Sequence, residues 1–203
     1  SMALASQELY EFDPSQIKAV TENALALRDA FGVEVNESIR ATKALMTQFG
    51  ISADEAYNLM AQGAQAGLDF SGELVDNINE YSVQFGKLGL SAEDMFNIFQ
   101  SGADAGAWNL DKIGDAVKEF SIRAIDGSNT TIDGFTKLGL NADDMAKKFA
   151  AGGDTAKEAF YQTIDAIKAM DDPVQQSIVG VDLFGTMWED LGPEVVTQLG
   201  SIR

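Results

Sequence analysis

At 203 residues with 45% hydrophobic side chains, the chain is long enough for one large or two small domains. A chain of this size buries roughly 70% of its unfolded surface, so it needs no metal or disulfide to hold a fold. Thirty-two acidic residues against 14 basic ones leave a net charge of −18, a surface that repels phosphate backbones and anionic headgroups and speaks against nucleic-acid binding. Cysteine and histidine are both absent, which removes disulfides, the usual zinc sites, Ser-His-Asp and Cys-His nucleophiles, and histidine acid–base chemistry.

In chain order, Ser1-Met2 reads as a tag remnant ahead of a piece of a longer protein. No basic region followed by an apolar run marks a signal peptide, and no window approaches the ~20 apolar residues of a membrane span. Residues 1–35 form a helical lead-in, its stripe being Ile17, Val20, Ala24, Leu27 and Phe31 at helical spacing. A junction follows, Phe49-Gly50-Ile51-Ser52-Ala53-Asp54-Glu55, in which glycine ends one helix and Ser52 caps the next, with Glu55 completing a capping box. The same phrase returns as Leu88-Gly89-Leu90-Ser91-Ala92-Glu93-Asp94 and Leu138-Gly139-Leu140-Asn141-Ala142-Asp143-Asp144. Ser91 and Asn141 are equally good N-caps, and Asp94 and Asp144 suit the helix dipole.

The first two copies lie 39 residues apart, and the offset carries Gly63 to Gly102, Gly67 to Gly106 and Asp76 to Asp115. The second interval is 50 residues, the extra 11 falling around Gly127–Lys137, where Asp126-Gly127-Ser128-Asn129 reads as a turn. Further stripes at 3–4 spacing, Leu74, Ile78, Tyr81, Phe85 and Ile113, Val117, Phe120, Ala124, complete a pattern of helix pairs. The predicted architecture is all-α: degenerate helix-pair repeats over 36–171, packed as a compact array, and a C-terminal helical cap over 172–203. In the cap, Asp172-Pro173 reads as N-cap and N1 of a helix running to about Phe184. A short helix, a break and a last helix opened by Pro193 follow.

The residues offer little chemistry. The carboxylate pairs Asp54/Glu55, Glu93/Asp94 and Asp143/Asp144 fall in first turns of helices, where capping and dipole explain them better than glycosidase-type acid–base work. Asp126–Thr131 resembles a calcium loop only until Lys137 takes the place of the bidentate Glu. The glycine clusters at 63–67 and 102–106 lack the Lys-Ser/Thr ending of a phosphate loop and read as inter-helix connections. Trp108 and Trp188 read as core or pair-closing residues before partner anchors. No cofactor and no metal site is expected.

Residues 36–202 resemble the tail tape measure proteins of long-tailed bacteriophages and prophages. The resemblance is carried by the Leu-Gly-Leu-Ser-Ala-Glu-Asp junction, by Ala-Val-Lys-Glu-Phe at 116–120, and most specifically by the ending from Leu183 to Pro193. It makes Phe184, Gly185, Trp188, Glu189, Asp190, Gly192 and Pro193 the candidate interaction or family-motif residues. The junction residues Gly50, Ser52, Gly89, Ser91, Gly139 and Asn141 are read as structural. The resemblance implies a non-enzymatic virion protein, made in the bacterial host cytoplasm and placed in the tail. It would act on tail length, assembly or genome ejection through contacts with tube proteins, assembly chaperones and copies of itself. An acidic surface suits simple solubility, and also work beside DNA without adhering to it. One feature departs from a ruler: glycine at each junction favours folding back over an extended rod. The competing readings are a helical-repeat interaction module of a bacterial protein unrelated to phage tails, and an enzyme using carboxylates alone.

Overall fold

The computed structural model describes Leu9 and residues 12–203; the Ser1-Met2 pair lies outside the described residues. The chain is all-α, as its periodicities predict. Among the described residues twelve helices follow in order: α1 Ile17–Phe31, α2 Val35–Phe49, α3 Ala53–Gln65, α4 Leu74–Lys87, α5 Ala92–Asp104, α6 Leu110–Arg123, α7 Asn129–Lys137, α8 Ala142–Ala151, α9 Gly153–Lys168, α10 Pro173–Phe184, α11 Met187–Leu191 and α12 Pro193–Val196. They form two compact units, the first reaching Ser82 and the second starting at Val83, so the division falls inside α4.

In the first unit α1, α2 and α3 pack on one another. Each contributes its apolar stripe: Val20, Ala24 and Leu27 from α1, Ile39, Ala41 and Leu45 from α2, and Ala56, Tyr57 and Met60 from α3, all buried. The break between α2 and α3 follows from local chemistry. Gly50, at φ 69°, ends α2 in the left-handed region and donates its N–H to the Met46 carbonyl. Two residues later the Ser52 hydroxyl accepts from the Glu55 N–H, while the Glu55 carboxylate accepts from the Ser52 N–H at 2.8 Å.

The second unit is built on α5 to α12. Helix α10 lies against α7 and α6, α9 against α8, α5 against α6, and α11 against α6 and α12. Its centre is aromatic. The Phe120 ring stacks on Phe184 at 5.0 Å and meets Phe149 and Phe160 edge-on, both at 5.4 Å. Such pairs add about 0.5–1.5 kcal/mol each beyond their area burial. The 11 extra residues around Gly127–Lys137 hold the nine-residue helix α7, with Ser128 as its N-cap. Gly134 lets α7 approach α10 closely, since a Cβ there would sit 3.0 Å from the Leu183 side chain.

Burial agrees at five positions 39 residues apart and differs at three, Asp94, Ile98 and Ser101 being buried where Glu55, Leu59 and Gln62 are not. Ala53, Ala56, Tyr57, Met60 and Gly63 of α3 are buried, and so are Ala92, Met95, Phe96, Phe99 and Gly102 of α5. The connections do not share their length: eight residues join α3 to α4, five join α5 to α6.

Candidate functional site

The C-terminal motif is assembled from the core outward. Asp172 caps α10, its carboxylate accepting from the Val174 and Gln175 N–H groups at 2.9 and 3.3 Å, with Pro173 at the first helical position. Phe184 closes the helix inside the aromatic cluster, fully buried. Gly185, at φ 58°, then reverses the chain where a Cβ would press on the Glu119 carboxylate and the Arg123 guanidinium at 2.8 and 2.9 Å. That turn folds α11 back so that Trp188 lies flat on Gly180, where a Cβ would stand 2.0 Å from the indole. Only glycine admits the ring there. Trp188 is thus a core residue, as the sequence reading has it, whereas Trp108, read the same way, is 64% exposed ahead of α6.

Of the motif residues, Phe184, Gly185 and Trp188 are buried, and Glu189, Asp190 and Pro193 face solvent. Asp190 accepts from the Lys112 ammonium at 3.0 Å, tying α11 to α6 and holding the Lys112 amine above its usual range. Gly192, at φ 86°, precedes Pro193 at the start of α12.

The junction residues take cap positions. Ser91 accepts from the Asp94 N–H at 3.1 Å, and Asp94 accepts from the Ser91 N–H at 2.8 Å, closing a capping box with aspartate where glutamate is usual. Asn141 accepts from the Asp144 N–H at 2.9 Å. The glycines differ more than their sequences do. Gly89 and Gly139 both adopt φ near 70°, yet a Cβ on Gly89 would lie 1.9 Å from the Gly153 carbonyl oxygen while one on Gly139 meets nothing within 4 Å.

Sequence reasoning missed a polar network at the second junction. The Asp94 side chain, 6% exposed, also accepts from the Lys157 ammonium at 2.7 Å and the Tyr161 hydroxyl at 3.3 Å, both on α9. Burial alone raises its pKa, but the Lys157 bond and the Ser91 donors outweigh that and leave it below the usual carboxylate range. Burial and the Asp94 charge push the Tyr161 phenol upward, while the Arg203 guanidinium over its ring acts the other way. The signal in the sequence was Lys157 and Tyr161 at i, i+4, but their partner is 63 residues before Lys157, a separation no periodicity reveals.

In the first unit a cleft of about 520 Å³ runs between α1 and α3, lined by alanines with Leu27, Phe31, Asn23, Asp54, Tyr57 and Asn58. Asn23 Nδ2 donates to Asp54 Oδ1 at 3.2 Å across it. Among the described residues no three acidic side chains gather as a metal site, and no helix is long and apolar enough to cross a membrane.

The model of the phage-related minor tail protein family aligns with residues 2–185. The chain belongs to the phage-related minor tail protein family. A relative from Streptomyces phage phiC31, described as "probable tape measure protein", is 34% identical over 171 residues, 84% of this chain. The match covers 24% of that relative's length, so this minor tail protein chain spans about a quarter of it. No solved structure matches. Family membership supports a structural role in the phage tail and leaves the reading as a bacterial module unrelated to tails without support.

Proposed function

We propose that this chain is a non-enzymatic helical domain of a tape-measure-type tail protein. It acts through contacts with other tail proteins, tube or assembly chaperones, and with copies of itself, during tail assembly, length determination or genome ejection. The observation that carries the reading is the 34% identity, over 84% of this chain, to a protein described as a probable tape measure protein. The absence of histidine and cysteine from the sequence, and first-turn carboxylates engaged in caps, favour a binding role over catalysis.

Within that role we infer a folded domain rather than a length of rod. Among the described residues no helix exceeds the 16 residues of α9, and left-handed glycines end or follow many of them, as Gly50 does where α2 folds back on α3. The test is an in-frame deletion of residues 88–126 from the phage gene, with tail length read by electron microscopy. An extended helix of those residues would shorten the tail by roughly 58 Å at ~1.5 Å per residue. The expected result is no such shortening, with loss of assembly or infection. A tail shorter by that amount would make this segment ruler, and normal tails with normal infection would remove the tail role altogether.

A further inference from the structure

The chain holds two Asp-Gly steps, Asp126-Gly127 and Asp133-Gly134. In such a step the nitrogen that follows can close on the aspartate's own carboxyl carbon, because glycine offers no Cβ to obstruct the ring. Identical in sequence, the two steps meet different surroundings.

Asp126 lies in the connection from α6 to α7, and both it and Gly127 are exposed. Gly127, at φ 65°, belongs to no helix, and among the described residues no backbone carbonyl accepts from its N–H. Asp126 Oδ1 accepts from the Ser128 N–H at 2.7 Å. That bond spans the Gly127 nitrogen and folds the carboxyl group back over the Asp126–Gly127 peptide. Asp133 is exposed as well, but it stands inside α7. There the Gly134 N–H belongs to the i→i−4 ladder, and the dihedral angles of both residues are fixed at helical values. Gly134 is buried, and a Cβ on it would sit 3.0 Å from the Leu183 side chain of α10, so the backbone at this step has no room to turn.

We propose that Asp126-Gly127 is a site of spontaneous backbone isomerisation, and that helix α7 shields Asp133-Gly134 from the same reaction. Once the Asp126 carboxylate takes up a proton, the Gly127 nitrogen attacks its Cγ. The N–Cγ bond forms, the Cγ–OH bond breaks, and the hydroxyl leaves with the amide proton as water. The product is a succinimide ring. Water then reopens it at one of its two C–N bonds. Breaking N–Cγ restores aspartate, whereas breaking the bond to the main-chain carbonyl leaves the chain running through Cβ and Cγ. Only water is lost and regained, so the composition of the chain is unchanged.

Burial raises the Asp126 pKa and the Ser128 bonds more than offset it, so the neutral acid is scarce and the reaction slow. A slow reaction still counts in a tail component, because a protein built into a particle is not replaced by new synthesis. The β-linked product lengthens the main chain by one methylene group just ahead of the Ser128 cap. It displaces that cap from the Thr131 N–H, and the Thr131 hydroxyl from the Arg123 carbonyl that it meets at 3.0 Å. The chemistry stands whatever the chain does in tail assembly.

The test incubates the folded 203-residue chain in heavy-oxygen water at neutral pH and reads its proteolytic peptides by mass spectrometry. Each ring that reopens leaves one heavy oxygen atom in the residue, a gain of about 2 Da. The expected result is label at Asp126 and none at Asp133, fragment ions separating the two within their shared peptide 124–137. In guanidinium chloride, where α7 is unfolded, both residues gain label. Asp126→Glu, which would have to close a larger ring, removes the label from the turn, with circular dichroism verifying the fold. An Asp126 that stays unlabelled in the folded chain overturns the proposal. So does equal labelling of the two residues in the folded chain, an Asp133 that stays unlabelled when unfolded, or a label at position 126 that survives Asp126→Glu.

Discussion

Replacing Gly89 and Gly139 by alanine in turn isolates what glycine does at these junctions. The two sit in equivalent phrases with nearly equal backbone angles, φ 70° and 74°, and both belong to the second unit. The left-handed region costs an L-residue about 1–2 kcal/mol, and that cost is common to both. At Gly139 nothing lies within 4 Å of the new methyl group, so the cost ends there. At Gly89 the methyl group would stand 1.9, 2.6 and 2.9 Å from the oxygen, carbon and Cα of Gly153, where ordinary contact begins at 3.4 Å. The obstruction is backbone, so relief means parting the α4–α5 turn from the α8–α9 turn. Overpacking of this kind adds about 1–3 kcal/mol or more. Gly139→Ala should thus cost about 1–2 kcal/mol and Gly89→Ala about 2–5 kcal/mol, a large share of a typical domain's stability. The assay is urea denaturation followed by tryptophan fluorescence. Both tryptophans lie in the second unit, and buried Trp188 supplies the change on unfolding. Equal losses for the two variants would refute the reasoning, because close approach at Gly89 would then carry no weight.

Gly180→Ala should displace the Trp188 indole, seen as a red-shifted emission, since its Cβ would fall 2.0 Å from the ring. Trp188→Ala should cost about 3–5 kcal/mol through the void it leaves, while Trp108→Ala, at an exposed position, should stay within about 0.5 kcal/mol of wild type by thermal melt. Lys157→Met should cost about 2 kcal/mol at neutral pH, less than a fully buried pair because Lys157 keeps partial contact with solvent. Asp94 is held below the ordinary carboxylate range, so the stability it lends is complete above about pH 4 and is lost as pH falls through its lower folded value. The stability curves of Lys157→Met and wild type should therefore converge as pH drops below about 4; a gap that stays constant in acid would assign the loss to packing alone.

What the sequence by itself determined was local. Helix ends need donors and acceptors within three or four residues, so Gly50, Ser52, Glu55, Asp172 and Pro173 announce their roles without reference to the rest of the chain. The apolar stripes likewise name the buried face of α4 and α6 and of the middle of α1, whose ends Ile17 and Phe31 are half-buried and exposed, because a 3.6-residue period places those side chains together whatever they pack against. The junction phrases and Ala-Val-Lys-Glu-Phe at 116–120 lie inside the stretch that the family model matches, whereas most of the ending from Leu183 to Pro193 lies beyond it.

Tertiary structure decided the rest. Gly89 and Gly139 read alike until Gly153 comes up against one of them, and no local rule states which backbone will approach. Asp94 reads as a dipole-friendly first-turn acid and becomes a buried ion-pair partner only because α9 brings Lys157 and Tyr161 to it. Trp108 and Trp188 are the same residue type in an acidic helical chain; one is solvent-facing, the other seated on Gly180 by the reversal at Gly185. Helix α10 shows the limit most directly. Asp172 and Pro173 announce where it starts, but which of its apolar residues enter the core depends on α6, α7 and α11 packing against it. Local hydrogen bonding and helical period act over a few residues and can be read from neighbours, whereas close packing couples residues distant in the chain and exists only once the helices have met.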